Sequence, residues 1–171
     1  MLNQKIEDAF NKQLNAELFS AYLYVSMSAY FEANTLRGMA NWMRVQAQEE
    51  VQHAMKFYDF INERGGRVLL TKLDGPETDW ASPLAAFEHA CTHEAKVTQL
   101  INELVDLAIR EKDHAANAFL QWFVTEQVEE ESSAKEVADK LKFATDNPGA
   151  LFMIDQELGQ RVVAPPTTET A

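Results

Sequence analysis

Glycine and proline, the residues that interrupt helices, number only 6 and 5 in 171 residues and gather at a few places. Between those places lie four stretches of about thirty residues whose apolar positions alternate in spacings of three and four, the period of helices packed lengthwise. Each helix of that length is roughly 45 Å long and has to bury one continuous stripe, which leaves a bundle as the economical arrangement.

The spacing predicts a first helix from about Asn3 to Glu32 and, after "ANT", a second from about Leu36 to Arg64, stopped by Gly65 and Gly66. Ser82-Pro83 is a cap followed by proline at the first helical position, opening a third helix that reaches Lys112. A fourth runs from Asp113 to Ala144, and Asn147-Pro148 opens a short fifth helix ending near Leu158. The tail "APPTTETA" is expected to be disordered, from about residue 162 onward, within a single domain of 171 residues. The connection between the second and third helices, about 18 residues, can extend to roughly 60 Å, enough to return along the whole bundle. The expected fold is therefore all-α: a four-helix bundle with one long crossover and a short C-terminal helix.

The seams of this bundle are apolar except at one level. They read Phe10, Leu14, Glu17, Ala21, Tyr24, Ser28, Phe31; then Met39, Met43, Gln46, Glu50, His53, Phe57, Phe60. The third is Leu84, Phe87, Cys91, Glu94, Thr98, Ile101, Val105, Ala108, and the fourth Ala116, Leu120, Phe123, Gln127, Glu130, Ala134, Val137, Leu141. Folding each hairpin about its turn sets Glu17 opposite the Glu50–His53 pair and Glu94 near Glu130. Four carboxylates then face one another in an apolar interior, where an uncompensated ion costs several kcal/mol. No Lys or Arg occupies that layer of the seams, so the expected counter-charge is metal, held by Glu17, Glu50, His53, Glu94, Gln127 and Glu130. Oxygen-dominated ligation with one imidazole suits iron or manganese, and four negative charges suit two divalent ions. Two adjacent ferrous ions can pass two electrons to one dioxygen. Tyr24, two turns beyond Glu17 on the same seam, is placed to supply an electron as well.

Composition narrows the alternatives. With 27 Asp and Glu against 15 Lys and Arg, the net charge of −12 argues against a phosphate-binding surface and hence against nucleic acid as partner. One cysteine, Cys91, excludes an internal disulfide and paired Cys-x-x-Cys motifs. Without an apolar run near the roughly 20 residues that span a bilayer, or a signal-type start, the chain is expected to be cytoplasmic with no membrane partner.

Three segments, "LNAELFSAYLY", "QAQEEVQHAMKF" and "FLQWFVTEQVEEE", resemble the bacterial and archaeal non-haem ferritins, and the likeness extends from Leu2 to about Arg161. Ferritin-like di-iron proteins place one Glu on each of two helices and Glu-x-x-His on each of the other two. Here Glu17, Glu94 and Glu50-x-x-His53 match, while the fourth helix carries Gln127-x-x-Glu130, so two unequal iron sites are expected. The resemblance implies that Glu17, Glu50 and His53 hold the first iron with Glu50 bridging, and that Glu94 and Glu130 hold the second beside Gln127. It also implies a third iron site at Glu49, Glu126, Glu129 and Glu130, a redox role for Tyr24, and a tryptophan near the centre, Trp122. It further implies ferroxidase activity using dioxygen or peroxide and storage of ferric oxide in a shell of 24 identical chains. The short helix "PGALFMIDQEL", whose Leu151, Phe152, Ile154 and Leu158 have no place in the seams, resembles the helix at a ferritin fourfold axis.

Other readings weigh less. A bacterioferritin would ligate haem through a methionine directly after the bridging glutamate, where this chain has Val51, so no haem is expected. A di-iron oxygenase acting on an organic substrate and a metal-holding scaffold without catalysis are the remaining alternatives. Glu111-x-x-His114 repeats the Glu-x-x-His spacing at a helix turn without a partner layer and reads as surface charge, and His89 with His93 lacks a third ligand for zinc.

Overall fold

The computed structural model describes residues 2–163, and the tail expected at the C-terminus lies, from residue 164, outside the described residues. Five helices follow in order: α1 (Gln4–Ala33), α2 (Arg37–Glu63), α3 (Pro83–Arg110), α4 (His114–Phe143) and α5 (Pro148–Leu158). Local chemistry sets most boundaries. The side chains of Asn3, Ser82, Asp113 and Asn147 each accept a hydrogen bond from a backbone N–H of the first turn that follows, satisfying donors that the helix leaves open. Gly65, at φ 73°, takes the left-handed conformation that ends α2.

α2 lacks such a cap, because the Leu36 side chain carries no acceptor. Its missing acceptor comes from α5: Asp155 Oδ1 accepts from the Met39 N–H at 2.9 Å. The two helices meet closely, and a Cβ on Gly38 would lie 1.6 Å from the Asp155 carbonyl oxygen. On the same contact Leu158 is buried, and Leu151 and Ile154 pack against the core, leaving Phe152 and Met153 exposed. Three of the four apolar residues that have no place in the seams, Leu151, Ile154 and Leu158, thus close the end of the bundle.

α1 pairs with α2 and α3 with α4 as hairpins, and the long connection runs back along α1. Near its start Asn11 Nδ2 donates to Arg67 O at 2.9 Å while Asn11 Oδ1 accepts from Leu69 N at 2.6 Å. One turn on, Asn15 repeats the pattern with Leu69 O and Thr71 N, at 2.9 and 2.8 Å. The connection then passes Ser26, which donates to Glu77 O, and ends with Trp80 against Tyr30 at 5.3 Å between ring centroids. It therefore traverses the bundle from one end to the other, which makes α2 and α3 parallel.

The expected seams of α1 and α4 are buried at every position, and that of α2 at all but Phe60, which is half-buried. In α3 the stripe differs: Ala86, Ala90, Val97 and Leu104 are buried where Leu84, Cys91, Thr98 and Val105 are only half-buried. The reason is that α3 packs on both α4 and α1, so its buried face centres one residue earlier than a two-helix seam would. Two apolar clusters result. One holds Tyr24, Phe31, Trp42 and Phe87. The other holds Phe10, Phe57, Ile101 and Phe123. Between them lies the polar layer.

Candidate metal centre

Glu50 and His53 stand one turn apart on α2, so both project from one face, and the facing turn of α1 brings Glu17 to them. One ligand atom from each lies within 4.8 Å of the other two. His53 Nδ1 is 3.4 Å from Glu50 Oε2. Gln13, one turn before Glu17, donates to Glu17 Oε1 at 2.9 Å. The remaining oxygens, Glu17 Oε2 and Glu50 Oε2, are buried and accept no hydrogen bond. Buried polar atoms in folded proteins are nearly always satisfied, so two such acceptors side by side fit a bound cation.

The other half of the layer is arranged differently. The Tyr24 phenol donates a short hydrogen bond to Glu94 Oε1, and Gln127 Nε2 donates to Glu94 Oε2 at 3.2 Å. Gln46 Nε2 donates to Glu130 Oε2 at 2.5 Å, while its own Oε1 is buried without a partner. Glu130 also forms a second group with His53 and Glu126, again with ligand atoms within 4.8 Å. The structure thus gathers Glu17, Glu50 and His53 on one side, and places Glu94, Gln127 and Glu130 across from them under hydrogen bonds.

Without a cation, burial favours the protonated form of these carboxyls. Burial, reinforced by the charge of Glu50, pushes Glu17 up to about 8. Burial and then Glu94 push Glu130 up to about 7. Glu50 is raised well above the carboxylate range by burial and by Glu94 and Glu130, and Glu94 is raised by burial. The same burial, with Glu94 beside it, keeps the Tyr24 phenol protonated well above its ordinary value.

Of the residues tied by resemblance to a third site, Glu126 is half-buried, with Oε1 3.9 Å from His53 Nε2. Burial raises its carboxyl, and the charges of Glu129 and Glu49 add to that rise. Glu129 is exposed. Glu49 is held by Arg161, at 2.6 Å. Trp122 packs edge-on to His53 with ring centroids 5.4 Å apart and carries Lys56 Nζ over its face at 4.1 Å.

Two of the three remaining histidines have other partners. His93 Nε2 lies 2.8 Å from Ser20 Oγ, burial lowers it to about 4, and His89 Nδ1 accepts from the Trp80 indole at 3.0 Å. Glu111 accepts from Asn3 and Lys5, and His114 is exposed. Among the described residues, neither pair belongs to a three-ligand group.

The family model for the ferritin-like domain matches residues 7–144. The chain belongs to the ferritin family. The bacterial non-heme ferritin of Bacteroides fragilis is 47% identical over 161 residues, covering 94% of this chain and all of its own length. That of Staphylococcus saprophyticus is 40% identical over 161 residues, covering 94% and 96%. Among solved structures, an engineered closed form of the Archaeoglobus fulgidus ferritin superposes with a TM-score of 0.95 at 51% identity, covering 96% of this chain and all of that one. The open-pore ferritin of the same archaeon gives 0.94 at 52%, covering 95% and 100%. The four-helix bundle with one long crossover expected from the seams is the fold observed, and it is the ferritin fold that the resemblance implies.

Three participants in this ferritin's polar layer escaped the sequence reasoning. Gln46 sits on the α2 seam one turn before Glu50, and Gln13 one turn before Glu17, so helical spacing carried a signal for both. Arg161 carried none, because it lies beyond α5 and reaches the site only through tertiary packing.

Proposed function

We propose that this single-domain ferritin stores iron and oxidises it at the carboxylate layer. The observation that carries the reading is the pair of buried, unaccepting oxygens, Glu17 Oε2 and Glu50 Oε2, beside His53. Glu17, Glu50 and His53 take one ferrous ion, with Glu50 shared. Glu94 and Glu130 take the second beside Gln127. Two ferrous ions give two electrons to one dioxygen, or to peroxide, and leave as ferric iron. Anionic oxygen ligands favour the ferric state electrostatically, and the surrounding apolar clusters keep competing water away. The carboxyl protons released on metal entry are available to the reduced oxygen. Tyr24, hydrogen-bonded to Glu94, is placed to pass one electron to the partly reduced oxygen while its proton passes to that carboxylate.

Glu49, Glu126, Glu129 and Glu130 form an inner third position that receives iron on its way to a ferric oxide store. A cytoplasmic shell of 24 copies, with neither nucleic acid nor membrane as partner, is the assembly that goes with this reading. None of the described helices is long and apolar enough to cross a membrane. The test is to add ferrous iron in air, in large excess over chains, and separate the product by size. Oxidised iron co-eluting with a shell-sized species is expected; a small, iron-poor bundle would overturn storage.

A further inference from the structure

Glu49 already has a cation belonging to the chain itself. Arg161 reaches back from beyond α5 to set Nη2 2.6 Å from Glu49 Oε2, with the two side chains 22% and 14% exposed. The guanidinium lies over the Trp42 ring, 4.3 Å from its centroid, and Nη1 donates to Trp42 O at 3.4 Å. Its backbone oxygen accepts from Asn41 Nδ2 at 3.0 Å. An arginine held on an aromatic face and by backbone contacts loses little further freedom on pairing, so this charge-assisted bond belongs among the stronger ones. Its positive charge is also felt at Glu130. Glu49 acts in turn on Glu126.

We propose that Arg161 gates the inner metal position: its guanidinium stands on Glu49 until a divalent cation displaces it, so the third ion binds in competition with the chain's own arginine. This rests on the reading of Glu49, Glu126, Glu129 and Glu130 as a third site. The competition sets an order of filling. Ions entering at Glu17, Glu50 and His53 meet oxygens without hydrogen-bond partners, whereas an ion at Glu49 has first to break an ion pair. The third ion is therefore held less tightly and is released more readily toward the store. Displacement leaves the guanidinium on the Trp42 platform, so α5 stays docked while the strap at residues 159–161 loosens.

The test is a calorimetric titration of the assembled, metal-free protein with Zn²⁺, a redox-inert probe. The parent should bind two equivalents tightly and a third weakly. Arg161→Gln should tighten the third by roughly tenfold or more and leave the first two in place. Arg161→Lys, which keeps the charge but loses the stacked guanidinium, should fall between the parent and Arg161→Gln, and Glu49→Gln should lose the third equivalent. A purely structural role for Arg161 predicts the opposite sign, a weaker third equivalent on its removal. In the parent, backbone hydrogen exchange at residues 159–161 should rise with the third equivalent and not with the first two, a readout independent of any variant. A third equivalent unchanged or weakened in Arg161→Gln, or exchange indifferent to it, overturns the gate while the third site stands. A third equivalent that survives Glu49→Gln removes the site assignment and the gate together.

Discussion

Metal entry into the carboxylate layer should expel protons in an amount that the geometry predicts. Glu17, pushed up to about 8, and Glu130, pushed up to about 7, both keep protons at neutral pH in the metal-free protein. At pH 7 these positions correspond to about nine-tenths of a proton on Glu17 and about half a proton on Glu130. Loading a divalent ion ionises both, releasing between about one and two protons per chain. At pH 9 Glu17 and Glu130 together retain only about a tenth of a proton, so their release falls by about one proton per chain. The measurement is anaerobic ferrous titration calorimetry in two buffers of different protonation enthalpy, which separates proton release from binding heat. Glu17→Gln should lower the release at pH 7 by about nine-tenths of a proton. Release near zero at pH 7 would refute the reasoning, because it would mean that the layer is already ionised without metal.

The same shift fixes a sign for stability. Glu17 binds its proton more tightly folded than unfolded, with 4.5 as its ordinary value and about 8 in the fold. Its contribution is thus fully present below pH 4.5 and is lost as pH rises through about 8. The loss amounts to about 5 kcal/mol for this one group, before metal restores it. Chemical denaturation of the metal-free protein should show stability falling across that window, and the slope should flatten in Glu17→Gln.

Other substitutions probe the layer's supports and the chain's closure. Gln46→Leu removes the donor to Glu130 Oε2 and should weaken the second ferrous ion by about 1–3 kcal/mol while sparing the first, read by anaerobic titration. Gly38→Ala drives a Cβ into the Asp155 carbonyl and should cost about 1–3 kcal/mol, seen as a lower Tm, with α5 losing hydrogen-exchange protection first. Replacing both Asn11 and Asn15 by alanine deletes four hydrogen bonds to the crossover, at about 1 kcal/mol each, and should raise amide exchange at residues 69–71 without altering the metal stoichiometry.

Much of this molecule was legible in one dimension because helices write their buried face at a fixed period. Three of the four seams, the layer that interrupts them, and the pairing of Glu17 with Glu50 and His53 follow from that period and from hairpin turns too short to allow another register. Capping residues marked two helix starts, at Ser82 and Asn147, for the same local reason. What the period cannot carry is a contact chosen between faces. The α3 stripe moved because that helix answers to two neighbours, and α2 received its cap from Asp155, 116 residues later. Tyr24 was placed near the metals by its spacing, but its bond to Glu94 depends on how α1 lies against α3. Arg161 meets Glu49 across 112 positions, through the docking of a helix whose apolar residues gave no hint of the residue beyond them. The sequence by itself determined the helices, their buried stripes and the charges set within them, all products of short-range periodicity. Tertiary structure alone decided which buried oxygens found donors and which stayed open for metal, because that choice depends on the packing of residues far apart in the chain.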